Sequence, residues 1–377
     1  MPSKETNASR NFGIDVLRGL AILFVVIHHL ALKFRLPLGP SGFGELFGRR
    51  IVAAVSFNGY ESVFVFFVIS GFLIAGRALD EHGTLAKIDW RRFYARRAAR
   101  ILPLLLGLLA VLAALHALRV PQYIVEEHGQ SLGGALLSAL GLHLNWYEGR
   151  TGWLPPNWDV LWSLSIEELF YLAFPIACLG FPRKALVAGL LLLALSLPWT
   201  RAALTGNEIW QEKATLPGMS AIAIGVLSAM LARARAPSRR QAGVLLIAAE
   251  LMLIALFIDG DLLWPWLGES MLLVQSATVG LALIALHHLA PVPQHGLRWL
   301  ASMGRLSYEI YLSHMFIVLP VVAAYRWALP DNLYWTFLVY PPTLWLCFAL
   351  GSGIERKLGR PAALWLRWRG QLAADRT

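Results

Sequence analysis

A bundle of about ten membrane-crossing helices, all-α, is the fold class this sequence predicts, and three observations predict it. Of 377 residues 57% are hydrophobic and only 15% charged, where soluble domains carry about a quarter charged. Apolar runs of roughly 17 to 25 residues, each long enough for a ~30 Å hydrocarbon core, recur along the whole chain. The cations gather in alternate loops between those runs.

Ten spans are expected near 13–34, 58–78, 101–119, 159–179, 185–199, 215–232, 241–258, 269–289, 306–328 and 335–353. With the N-terminus inside, "RRFYARRAAR" (91–100), "PRK" (182–184), "RARAPSRR" (233–240) and the tail from Arg356 share one side. The opposite loop "DGDLLWPWLGE" (259–269) has no cation. The positive-inside rule then puts both termini in the cytoplasm. The chain divides into a cytoplasmic segment 1–12, a membrane domain 13–355 and a basic cytoplasmic tail 356–377. No cleavable signal peptide is expected, because "MPSKETNASR" is polar and the first apolar run is too long and too charged for one. The formal charge of +10 reports topology, since the cations do not form one nucleic-acid-binding face.

The longest external connection, 120–158, contains "LGGALLSALGLHL" (132–144), too short to cross and read as re-entrant or interfacial. Trp146, Trp153, Trp158, Trp162, Trp199, Trp264, Trp266, Trp327 and Trp335 lie near outer ends and read as an interfacial belt. "PAALWLRWRGQLAADRT" (361–377) reads as an amphipathic helix on the inner surface. Cys178 and Cys347 fall inside apolar runs and read as packing residues, with neither a disulfide framework nor a metal site.

Five segments carry polar groups where a bilayer disfavours them. In "DVLRGLAILFVVIHHL" (15–30), Arg18 and His29 are eleven residues apart, which returns to within ~20° of one helical face at ~16 Å along the axis. They suit the two ends of a long ligand; otherwise Arg18 pairs with Asp15 and His29 joins a buried polar knot. In "GYESVFVFFVISGFLIAGR" (59–77), Ser70 and Gly71 permit close approach of a helix or a ligand. "RRFYARRAARILP" (91–103) sets Arg92, Arg96 and Arg100 at four-residue spacing beside Arg97, a stripe able to grip phosphates or to anchor at lipid headgroups. "NWDVLWSLSIEELFYLAFP" (157–175) buries Glu167 and Glu168 about two turns in, at a depth comparable with His29. "MGRLSYEIYLSHMFIVLP" (303–320) adds Ser307, Tyr308, Glu309, Tyr311 and His314 to the inner half of a span as a polar seam. His287 and His288 read as interfacial, without a role.

Together and in this order, these segments resemble the acyltransferase-3 family of bacterial membrane O-acyltransferases over roughly residues 10–355. The family's Arg with ten residues before a His falls on Arg18 and His29, and its arginine motif on Arg97 and Arg100, with Arg96 adjoining. Its Trp-Ser-Leu and paired Glu fall on Trp162, Ser163, Leu164, Glu167 and Glu168, with Leu169 where Gln is usual, followed by Phe170 and Tyr171. Its Ser-Tyr and Tyr-Leu-x-His fall on Ser307, Tyr308, Tyr311, Leu312 and His314. Where the family has Gly-Val-Asp this chain has "SVF", so Phe64 stands in place of a carboxylate, which bears on acceptor choice more than on chemistry.

The resemblance implies transfer of an acyl group, commonly acetyl, from cytoplasmic acyl-CoA to a hydroxyl of an extracytoplasmic or lipid-linked sugar. The setting it implies is the bacterial inner membrane. Arg18, Arg96, Arg97 and Arg100 would hold donor phosphates, and His29 would deprotonate the acceptor or carry the acyl group. Glu167 or Glu168 would stabilise the imidazolium, with Asp15, Ser70, Trp162, Tyr308, Tyr311 and His314 in support. The expected partners are acyl-CoA, a glycan or glycolipid acceptor and the bilayer, with no tightly bound cofactor, no metal and no nucleic acid. Many relatives add a C-terminal hydrolase-like domain, for which this chain is expected to be too short. A glycan transporter or flippase is the alternative; it predicts inverted repeats and paired broken helices, which the sequence does not display. A ligand-gated sensor would need an attached signalling domain.

Overall fold

The computed structural model describes residues 11–36, 42–330 and 332–361, and among these it is helical throughout with no strand. The tail helix expected at 361–377 lies almost wholly outside them. Helix α1 (Phe12–Phe34) starts where the Asn11 side chain accepts from the Ile14 amide. Helix α2 (Gly59–His82) and helix α3 (Trp90–Ala117) follow, the latter capped by the Asp89 side chain on the Arg92 amide. Two short helices, α4 (Leu132–Leu140) and α5 (Leu144–Thr151), precede α6 (Trp162–Gly180). Next come α7 (Arg183–Leu195), α8 (Leu197–Ala202), α9 (Thr215–Ala234), α10 (Arg239–Ile258) and α11 (Met271–Leu289). The chain closes with α12 (Arg298–Arg305), α13 (Ser307–Ser313), α14 (Met315–Ala328) and α15 (Tyr340–Ile354).

Among the described residues eight helical stretches are long and apolar enough to cross a bilayer, and α13 with α14, bent by 50°, makes nine. The span expected at 185–199 is instead the pair α7 and α8; at ~1.5 Å per residue α7 alone covers only ~20 Å. The pair still joins the two ends of the bundle, since α7 follows α6 directly while Arg201 of α8 meets Glu269 at 2.5 Å and Tyr60 at the start of α2. The piece at 132–144 does not cross: α4 has nine residues and rises ~14 Å.

Ion pairs sort the loops into two ends. Arg233 with Asp80 and Arg96 with Glu81 mark one end, which carries the cationic loops. Arg50 with Asp259, Arg201 with Glu269, and Arg326 on the Lys33 carbonyl mark the other.

Helices α2 and α9 form the centre, and their glycines explain how. A Cβ on Gly71 would lie 2.0 Å from the Ile222 carbonyl oxygen, and one on Gly225 would lie 2.0 Å from that of Val68. Only hydrogen fits at either crossing, so two backbones touch where the sequence suggested close helix approach. Two tryptophans leave the expected belt. Trp158 is fully buried, and Trp162 is buried against Tyr60, with ring centroids 6.4 Å apart, and against Phe67. The external segment folds over them, so they serve as core.

Candidate active site

Arg18 and His29 do share a face of α1, and both meet the broken pair α13–α14. Arg18 Nη2 donates to Ser307 Oγ at 2.7 Å, while the His29 ring lies 4.9 Å, centroid to centroid, from His314. One partner helix thus reads both ends of the stripe. Asp15 and Arg18 are buried. The α12 backbone comes close enough to Asp15 that a Cβ on Gly304 would overlap its carbonyl oxygen.

His314 therefore lies in the half of the bundle that holds His29 and the Lys33–Arg326 contact, not in the inner half as its spacing from Ser307 suggests. It sits at the break between α13 and α14, wholly buried. Its Nδ1 is 2.7 Å from the Tyr311 carbonyl. A carbonyl only accepts, so Nδ1 carries the proton and Nε2 holds a bare lone pair, for which the structure provides no hydrogen-bond partner. His28 points elsewhere: its ring packs on Gly59 and Phe57.

The expected carboxylate partner of His29 is not Glu167 or Glu168. Glu167 accepts from the Tyr171 hydroxyl at 3.0 Å, and the charged groups acting on Glu168 are Glu167, Arg97 and Arg100. Tyr171 also makes a short hydrogen bond with Ser70 and lies under the Arg97 guanidinium, 4.3 Å from the ring centroid. The reason is reach: α3 enters beside α6, and arginine side chains extend up to the paired carboxylates. The groups acting most strongly on His29 are His314, His28, Lys33 and Lys213.

Arg96, Arg97 and Arg100 line a cavity of about 100 Å³ at the cationic end, together with Arg77 and His82. Arg96 is held there by both carboxylate oxygens of Glu81, at 3.1 and 2.9 Å. Arg100 and Arg18 both act on Glu309, and Tyr308 donates to the Ile101 carbonyl at 3.2 Å, which ties α13 to α3. Midway, Tyr311 and Ser163 hydroxyls are 2.7 Å apart, and Tyr311 feels Glu167 on one side and Asp159 and Glu148 on the other. Polar side chains thus lie at successive levels between the arginines and the histidine pair, a polar seam of separate contacts.

One cluster has no counterpart in the sequence reading. Lys213, 2% exposed, donates to Glu148 at 2.9 Å and makes a short contact with Asp159, and its ammonium lies 4.1 Å from the Trp153 ring centroid. Burial, with the Asp159 carboxylate beside it, pushes the Glu148 carboxyl well above the ordinary carboxylate range, opposed by Lys213. The signal was "WQEK", whose lysine directly precedes an apolar run and reads as loop. Among the described residues no group of three or more His, Cys, Asp or Glu side chains is arranged for a metal ion.

A family profile described as an acyltransferase domain matches residues 11–352. The chain belongs to the acyltransferase-3 family. The O-acetyltransferase OatA of Staphylococcus aureus, in strains NCTC 8325, COL and MRSA252, is 25% identical over 341 residues, covering 83% of this chain. The alignment takes in 51% of each relative, so this acyltransferase-3 chain spans about half the length of the curated relatives it matches. No solved structure matches it. Family membership and the long apolar helices make it a multi-pass membrane protein.

Proposed function

We propose that this acyltransferase-3 chain moves an acyl group, acetyl by preference, from cytoplasmic acyl-CoA to the hydroxyl of an extracytoplasmic or lipid-linked sugar in the bacterial inner membrane. The observation that carries this reading is the polar seam joining a basic cavity at one end to two facing imidazoles near the other. A long donor with phosphates at one end and a thioester at the other matches its two ends. Arg97 and Arg100, with Arg18 and Arg96, suit the phosphates, because a guanidinium fork donates two hydrogen bonds to one phosphate.

In this reading His29 takes the proton from the acceptor hydroxyl as its oxygen attacks the thioester carbonyl carbon. The tetrahedral intermediate collapses, the carbon–sulfur bond breaks, and the thiolate leaves with the proton held by His29. His314, with Nδ1–H committed to a carbonyl, offers Nε2 to the other N–H of His29 and spreads the positive charge. That role passes from Glu167 and Glu168 to His314. The two carboxylates, Ser70 and Tyr171 instead hold Arg97 in place, while Tyr308, Ser163, Tyr311 and Trp162 keep the seam aligned.

The test is thiol release from acetyl-CoA by the protein purified in nanodiscs, with a panel of glycans. Release that depends on acceptor and disappears in His29→Ala supports the reading. Acceptor transfer that persists without any coenzyme A thioester would exclude the proposed donor.

A further inference from the structure

The end of the bundle remote from the arginines carries a cavity of about 640 Å³, within the range of small-molecule sites. Its wall includes Lys33, Glu127, Gln130, Trp153, Leu319 and Arg326. Helix register relates it to His29. Lys33 is four residues beyond His29 on the same face of α1, about one turn past that imidazole, and Leu319 brings α14 into the same wall. The two helices that bring the imidazoles together also wall the cavity, at the end of the bundle away from the arginines.

The wall has a definite chemistry. Arg326 Nη2 donates to the Lys33 carbonyl at 2.8 Å, which draws two cationic side chains to one corner. Trp153 is 40% exposed; with one ring face toward the Lys213 ammonium, it has the other face or its edge to offer. Gln130 Nε2 holds the loop that carries it, donating to the carbonyls of Gly152 and Trp153 at 3.0 and 3.1 Å. Beyond the lining residue Pro156, Asn157 is fully buried with neither amide atom hydrogen-bonded, a costly arrangement in an otherwise finished core. An aromatic platform beside a cation pair suits a ring that carries a negative charge.

We propose that this cavity is the acceptor subsite and that it selects a hydroxylated ring bearing an anionic substituent, with the ring on Trp153, the anion at Lys33 and Arg326, and the reacting hydroxyl toward His29. The fate of that hydroxyl rests on the acyl-transfer reading above; the binding preference does not.

The experiment titrates p-nitrophenyl β-D-glucuronide and p-nitrophenyl β-D-glucoside into the full chain in phosphatidylcholine nanodiscs, followed by ligand-observed NMR. The glucuronide binds more tightly. Combining Lys33→Gln with Arg326→Gln weakens it about tenfold, to the level of the glucoside, while leaving the glucoside's affinity alone. Trp153→Ala weakens both. Lys33→Arg with Arg326→Lys restores the glucuronide preference, which separates charge from folding. Equal affinity for the two probes, no glucuronide binding, or an equal loss for both in the glutamine variant would overturn the subsite. Displacement of the glucuronide by phosphatidylglycerol added to the bilayer would make the cation pair a lipid-headgroup seat and overturn it too. Acetyl-CoA titrated into the same wild-type nanodiscs reports the donor reading separately, so either can fail alone.

Discussion

Two adjacent histidines on one helix meet different surroundings, and that difference sets what each substitution should do. His29 faces His314, so His29→Ala is expected to leave a monodisperse, donor-binding protein whose transfer rate falls by ~10² to 10⁴, the usual worth of a general base. His28 fills the space over Gly59 and packs on Phe57, so His28→Ala should lower thermal stability and retain most of the activity. An inactive His28→Ala beside an active His29→Ala would remove His29 from the chemistry. At the other end of the seam, if the proposed donor is right, Arg97→Gln with Arg100→Gln should raise the KM for acetyl-CoA more than it lowers kcat, since these side chains line the cavity assigned to the phosphates. Steady-state kinetics at saturating acceptor distinguishes that from a collapse of kcat with KM unchanged, which would assign the pair to the reaction itself.

Helices α2 and α9 owe their contact to glycine rather than to any motif residue. A branched side chain at Gly225 would meet the Val68 carbonyl at bonding distance, and neither backbone can yield without parting the core. Gly225→Val is therefore expected to cost at least the ~1–3 kcal/mol typical of overpacking, seen as a lower melting temperature or as aggregation in size-exclusion chromatography. A Gly225→Val protein with wild-type stability would mean that the helices do not touch there. The α13–α14 break carries a local bond of its own. His314 Nδ1 takes the Tyr311 carbonyl, an acceptor that a continuous helix would give to its next turn. The same bond fixes the proton on Nδ1 and turns the bare Nε2 of His314 to the role proposed for it.

Across the whole molecule the two ends differ in charge, and by positive-inside sorting the end with Asp80, Glu81, Arg96 and Arg233 is expected to be the cytoplasmic one. Single cysteines placed at Lys87 and at Asp261, in a chain lacking Cys178 and Cys347, should be protected from and labelled by an impermeant maleimide in intact cells, respectively. The reverse pattern would invert the topology and the direction from which the donor arrives. Much of this architecture was legible in the sequence. Apolar length and loop cations are properties of single segments in a bilayer, so the spans, their sorting into two ends and the shared face of Arg18 and His29 follow from one-dimensional spacing. The exception at 185–199 turned on a break between α7 and α8 that hydropathy does not register. What spacing along one helix cannot express is which side chain of another helix arrives opposite. Glu167 and Glu168 looked suited to His29 by depth, yet α3 brings Arg97 and Arg100 to them and the bent α13–α14 pair brings His314 to His29. Lys213, Glu148 and Asp159 lie in three separate segments and become one buried cluster only when the external segment folds over the bundle. Chain-local energetics decided which elements exist; the rotation and bend of packed helices, with glycine contacts at the α2–α9 crossing, decided which polar groups share a site.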